Sequence, residues 1–114
     1  LRRHFVTRLQ DQLDAAAGPG AALVLVRVMH LETLNERLGR DDTDRVLRTV
    51  GDVLQTYVER VPGALAGRLN GSDFGLCLPV HGLAAETAAA IHGALVGAPA
   101  LRAGGCEVAV MLPL

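Results

Sequence analysis

Residues 68–79, Arg-Leu-Asn-Gly-Ser-Asp-Phe-Gly-Leu-Cys-Leu-Pro, constrain this chain more than any other stretch. Ala64, Leu65, Ala66 and Leu69 form one apolar run, and Phe74, Leu76, Cys77 and Leu78 form a second that Pro79 stops. Asn70-Gly71 between two such runs predicts a β-hairpin with a tight primed turn, because both residues accept a positive φ. A turn of this kind lifts Ser72 and Asp73 off the end of a sheet, where a ligand could meet them. A hairpin with no ligand accounts for the same residues.

The flanking segments alternate in type. Residues 1–17 carry Leu1, Phe5, Leu9, Leu13 and Ala16 at helical spacing, and Gly18-Pro19-Gly20 ends that helix. Residues 21–29 are a near-continuous Val/Leu run, which predicts a central strand covered on both faces. Arg27 interrupts the run near its end and requires either a partner or an exit to solvent. A short helix follows over 30–38, closed by Gly39. Asp41, Asp42, Thr43 and Asp44 then form an acidic capping cluster at the start of a helix striped with Val46, Leu47, Val50, Val53, Leu54, Tyr57, Val58 and Val61. Pro62-Gly63 stops it. After the hairpin, residues 82–96 predict an Ala-rich helix with Leu83, Ala84, Thr87, Ala88, Ile91 and Leu95 inward. Gly97 and Pro99 break it, residues 103–105 are a flexible link, and 106–112 are an apolar strand. Strands interleaved with helices around one hairpin predict an α/β (α+β) domain, a ferredoxin-like, palm-type mixed sheet with flanking helices.

Composition narrows the function classes. The chain has 114 residues, enough for one domain with its own core. Half of it is hydrophobic but only 3% is aromatic, so the core is built from Leu, Val and Ala. A formal net charge of −1, with Phe5, Tyr57 and Phe74 as the aromatics, offers neither a basic footprint nor a stacking platform for nucleic acid. No apolar run is long enough to span a bilayer, so no direct membrane contact is expected. Cys77 and Cys106 read as buried free thiols of a reducing compartment. His4, His81 and His92 lack metal-ligand spacing.

The spacing around the hairpin resembles the signature of the GGDEF family, the diguanylate cyclases and their inactive relatives. The five letters stand here as Asn70-Gly71-Ser72-Asp73-Phe74: the second and fifth match, the fourth is a shorter acid, and the first and third are changed. The family's stretch "DxDHFKxINDxxGHxxGDxxL" aligns without a gap onto residues 27–47, with His30, Asn35, Gly39, Asp44 and Leu47 matching. Leu1-Arg2-Arg3-His4-Phe5 resembles the family's opening "NRRxF". The resemblance covers nearly the whole chain, as a single domain over 1–114 cut from a longer protein. The family's preceding turn and its C-terminal segment are expected to lie outside it.

The departures carry the functional expectation. The resemblance implies metal-binding acids at the end of the first strand and at the third hairpin position, and here these are Arg27 and Ser72. A guanidinium repels Mg²⁺, and a lone serine hydroxyl is a feeble ligand for it. Glu32 stands where the family has a phosphate-facing Lys. The family's inhibitory "RxxD" falls on Val61-Pro62-Gly63-Ala64, with neither charge present, so no inhibitory site is expected. Catalytic residues and bound Mg²⁺ are therefore not expected. Asn35 and Asp44, with Leu31 beside them, match positions that read a guanine base in the family, so GTP enters as an allosteric ligand. Helix capping accounts for Asn35 and Asp44 equally well. Arg27 and Asp73 are expected to face each other across the former metal site.

The resemblance implies a catalytically inactive regulatory or interaction module of cyclic di-GMP signalling. Its partner would be an adjacent EAL-type domain of the same protein, with homodimerisation left open. The setting would be cytoplasmic, with the parent protein anchored in the inner membrane by segments outside this chain. A GTP-binding sensor and a cyclase with residual activity are the alternatives.

Overall fold

The computed structural model describes residues 22–79 and 81–112. The helix expected over 1–17, and His4 with it, lies outside the described residues. Strand β1, Ala22–Val28, buries Val24, Val26 and Val28 on one face, leaves Leu23 and Leu25 half-buried, and exposes Arg27 on the other. Cover on both faces was expected from the near-continuous apolar run. Among the described elements the helices join the Val24–Val26–Val28 face alone, in one cluster with Phe74, Leu76 and Leu78.

Helix α1, Leu31–Leu38, buries only Leu34. It ends at Gly39, whose φ of 85° a side chain would resist, and whose N–H donates to Asn35 O at 2.9 Å. Gly39 is also the residue from which helix α2, Arg40–Arg60, starts. Asp41 and Asp42 thus lie inside the first turn, where their charge suits the helix dipole, but no side chain caps the helix by a hydrogen bond. The expected capping cluster acts through charge alone, because the helix begins before it. Val46, Leu47, Val50 and Leu54 are buried as the 3.6-residue stripe predicts, with Val53, Tyr57 and Val58 half-buried around them.

The hairpin follows as β2, Leu65–Arg68, and β3, Asp73–Leu78. A 3₁₀ turn, His81–Leu83, leads into helix α3, Ala84–Gly97, which buries Ile91 and Leu95. Leu83 is 46% exposed rather than inward, since it sits in the turn before the helix. The expected flexible link is in large part a six-residue helix, α4, Pro99–Gly104. Pro99 starts it, Leu101 and Gly104 are buried, and Gly105 closes it in the left-handed region at φ 60°. Strand β4, Val108–Met111, is shorter than the expected 106–112, and Cys106 precedes it half-buried. Both cysteines are free, and burial pushes both thiols up.

The sheet order is β2-β3-β1-β4, and every pairing is antiparallel. The ferredoxin-like arrangement is as expected, but no two parallel strands are adjacent. β3 lies between β1 and β2, and β1 lies between β3 and β4, so neither pair of parallel strands is hydrogen-bonded. Helices α2 and α3 pack across the sheet through Val46, Val50, Leu54, Ile91 and Leu95. None of the helices among the described residues is long and apolar enough to cross a membrane.

Candidate functional site

The register of β1 against β3 sets Arg27 directly opposite Asp73, on the sheet face away from the helices. Arg27 Nε donates to Asp73 Oδ1 at 2.7 Å and Nη2 to Oδ2 at 3.1 Å, a two-pronged ion pair. Arg27 thus gains both a partner and an exit, its side chain half exposed beside a largely covered carboxylate.

Asp73 also accepts from Asn70 Nδ2 at 2.9 Å and from Ser72 Oγ at 3.2 Å. The Arg27 hydrogen bond is the main cause that lowers its pKa to about 2; partial burial opposes the shift, and Asn70, the Arg27 charge and Ser72 reinforce it. The same carboxylate holds the Arg27 guanidinium above its ordinary value.

Asn70 organises the loop itself. Its Oδ1 accepts the N–H of Ser72 at 3.0 Å and of Asp73 at 2.9 Å, while Leu69 N–H donates to Asp73 O at 2.7 Å. This side-chain-closed turn replaces the expected tight primed turn. β2 ends at Arg68 and β3 starts at Asp73, so four residues, 69–72, make the connection, and Gly71 is not among the positive-φ positions.

Arg68 matters more than its place in the signature suggested. Nε donates to Asn70 O at 3.0 Å and Nη2 to Gly71 O at 2.6 Å, and the guanidinium lies 5.9 Å from the Phe74 ring centroid. An Arg just before an Asn-Gly turn, with Phe on the paired strand, hints at the ring contact, but the carbonyl acceptors exist only in the folded loop. Leu31 comes to the loop from below: a Cβ added at Gly71 would lie 3.7 Å from Leu31 Cδ2.

The hard-cation fit can be judged on these donors. The two positions where metal acids were sought hold a guanidinium and a hydroxyl, and the remaining acid spends both oxygens on Arg27. No group of three or more His, Cys, Asp or Glu side chains gathers at a metal-holding distance among the described residues. The set does not fit Mg²⁺.

Asp44, exposed on α2, lines an open cleft of about 400 Å³ with Leu47, Arg48, Gly51, Asp52, Arg68 and Phe74. Asn35, exposed on α1, is not among its lining residues. The hairpin thus shares a cleft with one of the two expected base-reading residues. Glu32 is exposed on α1. Val61–Ala64 form the turn after α2, where Ala64 N–H donates to Val61 O at 3.0 Å; Arg60 instead lies 5.7 Å from the Tyr57 ring centroid. His92 is exposed on α3.

Residues 2–113 match the family described as diguanylate cyclase, GGDEF domain. Over 94 residues the chain is 30% identical to the RNase E specificity factor CsrD of Escherichia coli K12, covering 82% of this chain and 14% of that protein. The chain therefore spans about a seventh of that curated relative. Among solved structures it is similar to the active GGEEF domain of a diguanylate cyclase from Vibrio cholerae, with a TM-score of 0.78 at 16% identity, covering 97% of this chain and 73% of that one. It is also similar to the GGDEF domain of DgcB from Caulobacter crescentus, solved with c-di-GMP, with a TM-score of 0.73 at 18% identity and cover of 97% and 68%. At these identities the structural likenesses show a shared fold.

Proposed function

Because the chain belongs to the GGDEF domain family of cyclic di-GMP signalling, we propose that it is a catalytically inactive member that acts as a regulatory module within a longer protein. The observation that carries this is the Arg27–Asp73 ion pair. Joining two GTP molecules needs divalent cations to neutralise phosphate charge and activate a ribose hydroxyl. A fixed positive charge bonded to the surviving acid repels those cations and occupies the oxygens that would hold them. That the relative CsrD is described as an RNase E specificity factor, a role other than nucleotide synthesis, supports the same reading. The module acts by contact on an adjacent EAL-type domain of its own chain, in the cytoplasm, with any membrane anchor supplied by other segments. The test is incubation of the protein with GTP and Mg²⁺ or Mn²⁺ and chromatography for cyclic di-GMP. No product above the protein-free control is expected; sustained product formation overturns the assignment.

One observation favours a second role, allosteric GTP sensing: Asp44 lines the open cleft with Arg68 and Phe74. A carboxylate matches the N1–H and amino group of guanine as a two-point acceptor. Calorimetric titration with GTP, using ATP as control, separates the two roles. GTP-selective heat that disappears in Asp44→Ala supports the sensor; no heat with GTP leaves contact alone.

A further inference from the structure

The side-chain bonds at the hairpin tip converge on one carboxylate, apart from the two that Arg68 makes to Asn70 O and Gly71 O. Asp73 receives two N–H donors from Arg27, one from Asn70 and the Ser72 hydroxyl. Asn70, held by that carboxylate, in turn holds the N–H groups of Ser72 and Asp73. Ser72 O accepts the N–H of Val28 at 2.9 Å, which ties the tip back to β1. The negative charge of this circuit is paired directly with Arg27 on the neighbouring strand, whereas Arg68 bonds the loop through carbonyl oxygens.

We infer that Arg27 is a built-in cation. It supplies to Asp73 the positive charge that a bound divalent ion would otherwise supply, so the loop 69–72 keeps its shape with neither ion nor nucleotide. Reversing the charge at position 27 turns the same spot into a divalent-cation site. The guanidinium is always protonated and offers a planar pair of donors to both carboxylate oxygens, so the balance cannot be lost to exchange or chelation. In Arg27→Asp two carboxylates would stand opposite each other on paired strands, with Cβ atoms about 4.5–5.5 Å apart. Side chains at that separation can share one oxygen-liking cation, with the Ser72 hydroxyl beside it. The inference rests on the non-catalytic reading in one respect, that the native chain holds no divalent ion at this spot.

The experiment compares the wild-type protein, Arg27→Met and Arg27→Asp in EDTA and in MnCl₂, by thermal melting and by NMR of the Ser72 and Asp73 amides. Wild type should melt at one temperature in both buffers, with no Mn²⁺ broadening at Ser72 or Asp73. Arg27→Met should exchange those two amides roughly two- to fivefold faster, the range that a half-exposed ion pair supports. Arg27→Asp should melt lower in EDTA, recover in MnCl₂, and show Mn²⁺ broadening centred on Ser72 and Asp73. Mn²⁺ stabilising the wild type, unchanged loop exchange in Arg27→Met, or a folded Arg27→Asp indifferent to Mn²⁺ each overturns the inference. Should Arg27→Asp fail to fold in either buffer, Asp73→Asn decides: faster exchange at Ser72 supports the built-in cation, and unchanged exchange overturns it. Cyclic di-GMP production by wild type would overturn the non-catalytic reading separately, since the melting and exchange comparisons use no nucleotide.

Discussion

Asp73 ties the acid response of this domain to one side chain. Its carboxyl is held at about 2 against an ordinary 3.8, chiefly by the Arg27 hydrogen bond. A depressed carboxylate contributes stability that is complete above its unfolded value and is lost as pH falls through its folded one. The melting-temperature difference between wild type and Asp73→Asn is therefore expected to be constant at neutral pH and to shrink between about pH 4 and pH 2. The half-exposed partner keeps that difference small through solvent screening. A difference that persists unchanged at pH 2 would contradict it. Thr43 poses the opposite case: it is 3% exposed, and its hydroxyl has no hydrogen-bond partner among the described residues. An unpaired buried hydroxyl costs about 1–3 kcal/mol, so Thr43→Val, which keeps the shape, is expected to raise stability by up to about that much in urea unfolding. A lower denaturation midpoint in Thr43→Val would show that the hydroxyl has a partner after all.

Two helical glycines separate propensity from packing. Gly93, exposed within α3, has nothing within 4 Å of an added Cβ. Gly104 in α4 would place that atom 2.9 Å from Cys106 Sγ and 3.0 Å from Leu38 Cδ1. Gly93→Ala is expected to stabilise by about 0.5–1 kcal/mol, and Gly104→Ala to destabilise by about 1–3 kcal/mol; chemical denaturation of both variants checks the opposite signs. The long elements were legible because their apolar residues repeat. The α2 stripe and the Val24–Val26–Val28 face follow directly from spacing. Helix α4 was not legible, because six residues of Pro, Ala, Leu, Arg and Gly show no period and run straight into the Gly104-Gly105 pair. The hairpin was legible as a hairpin but not in its turn. Asn-Gly promised positive φ, whereas the Asn70 side chain closes the loop through Ser72 and Asp73. The Arg27–Asp73 pairing was foreseeable, since a charge in an apolar strand demands a partner. The role of Arg68 was not, because its acceptors are carbonyls that only the folded loop presents.

One cluster joins a single sheet face to the helices that cover it: Val26 and Leu76 of the sheet, Val50 and Leu54 of α2, and Ile91 and Leu95 of α3. A core shared this way is expected to open as a whole, so the amides of Val26 and Ile91 should report the same opening free energy in hydrogen exchange. Leu54, 1% exposed at the centre, should cost about 2–5 kcal/mol on truncation to Ala, measured as a shift in the denaturation midpoint. Distinct opening energies for Val26 and Ile91 would divide the sheet from α3. The hairpin tip stands outside this cooperative unit, which lets its charge circuit be altered while the core persists. The ferredoxin-like class was legible at this scale; the antiparallel pairing was not, because strand order depends on where the hairpin inserts.

Asn70 also sets a clock on the molecule. In an Asn-Gly sequence the following amide nitrogen can attack the side-chain carbonyl carbon and expel ammonia, leaving a succinimide that hydrolyses to aspartate or isoaspartate. The bonds that fix Asn70 Oδ1 and Nδ2 resist the rotation this attack requires. An intact loop thus protects its own keystone from chemical ageing. Once converted, the residue would set a second carboxylate against Asp73 in place of a donor. Peptide mass spectrometry of stored protein should find the mass gain of one unit at Asn70 accumulating faster in Asp73→Ala than in the wild type.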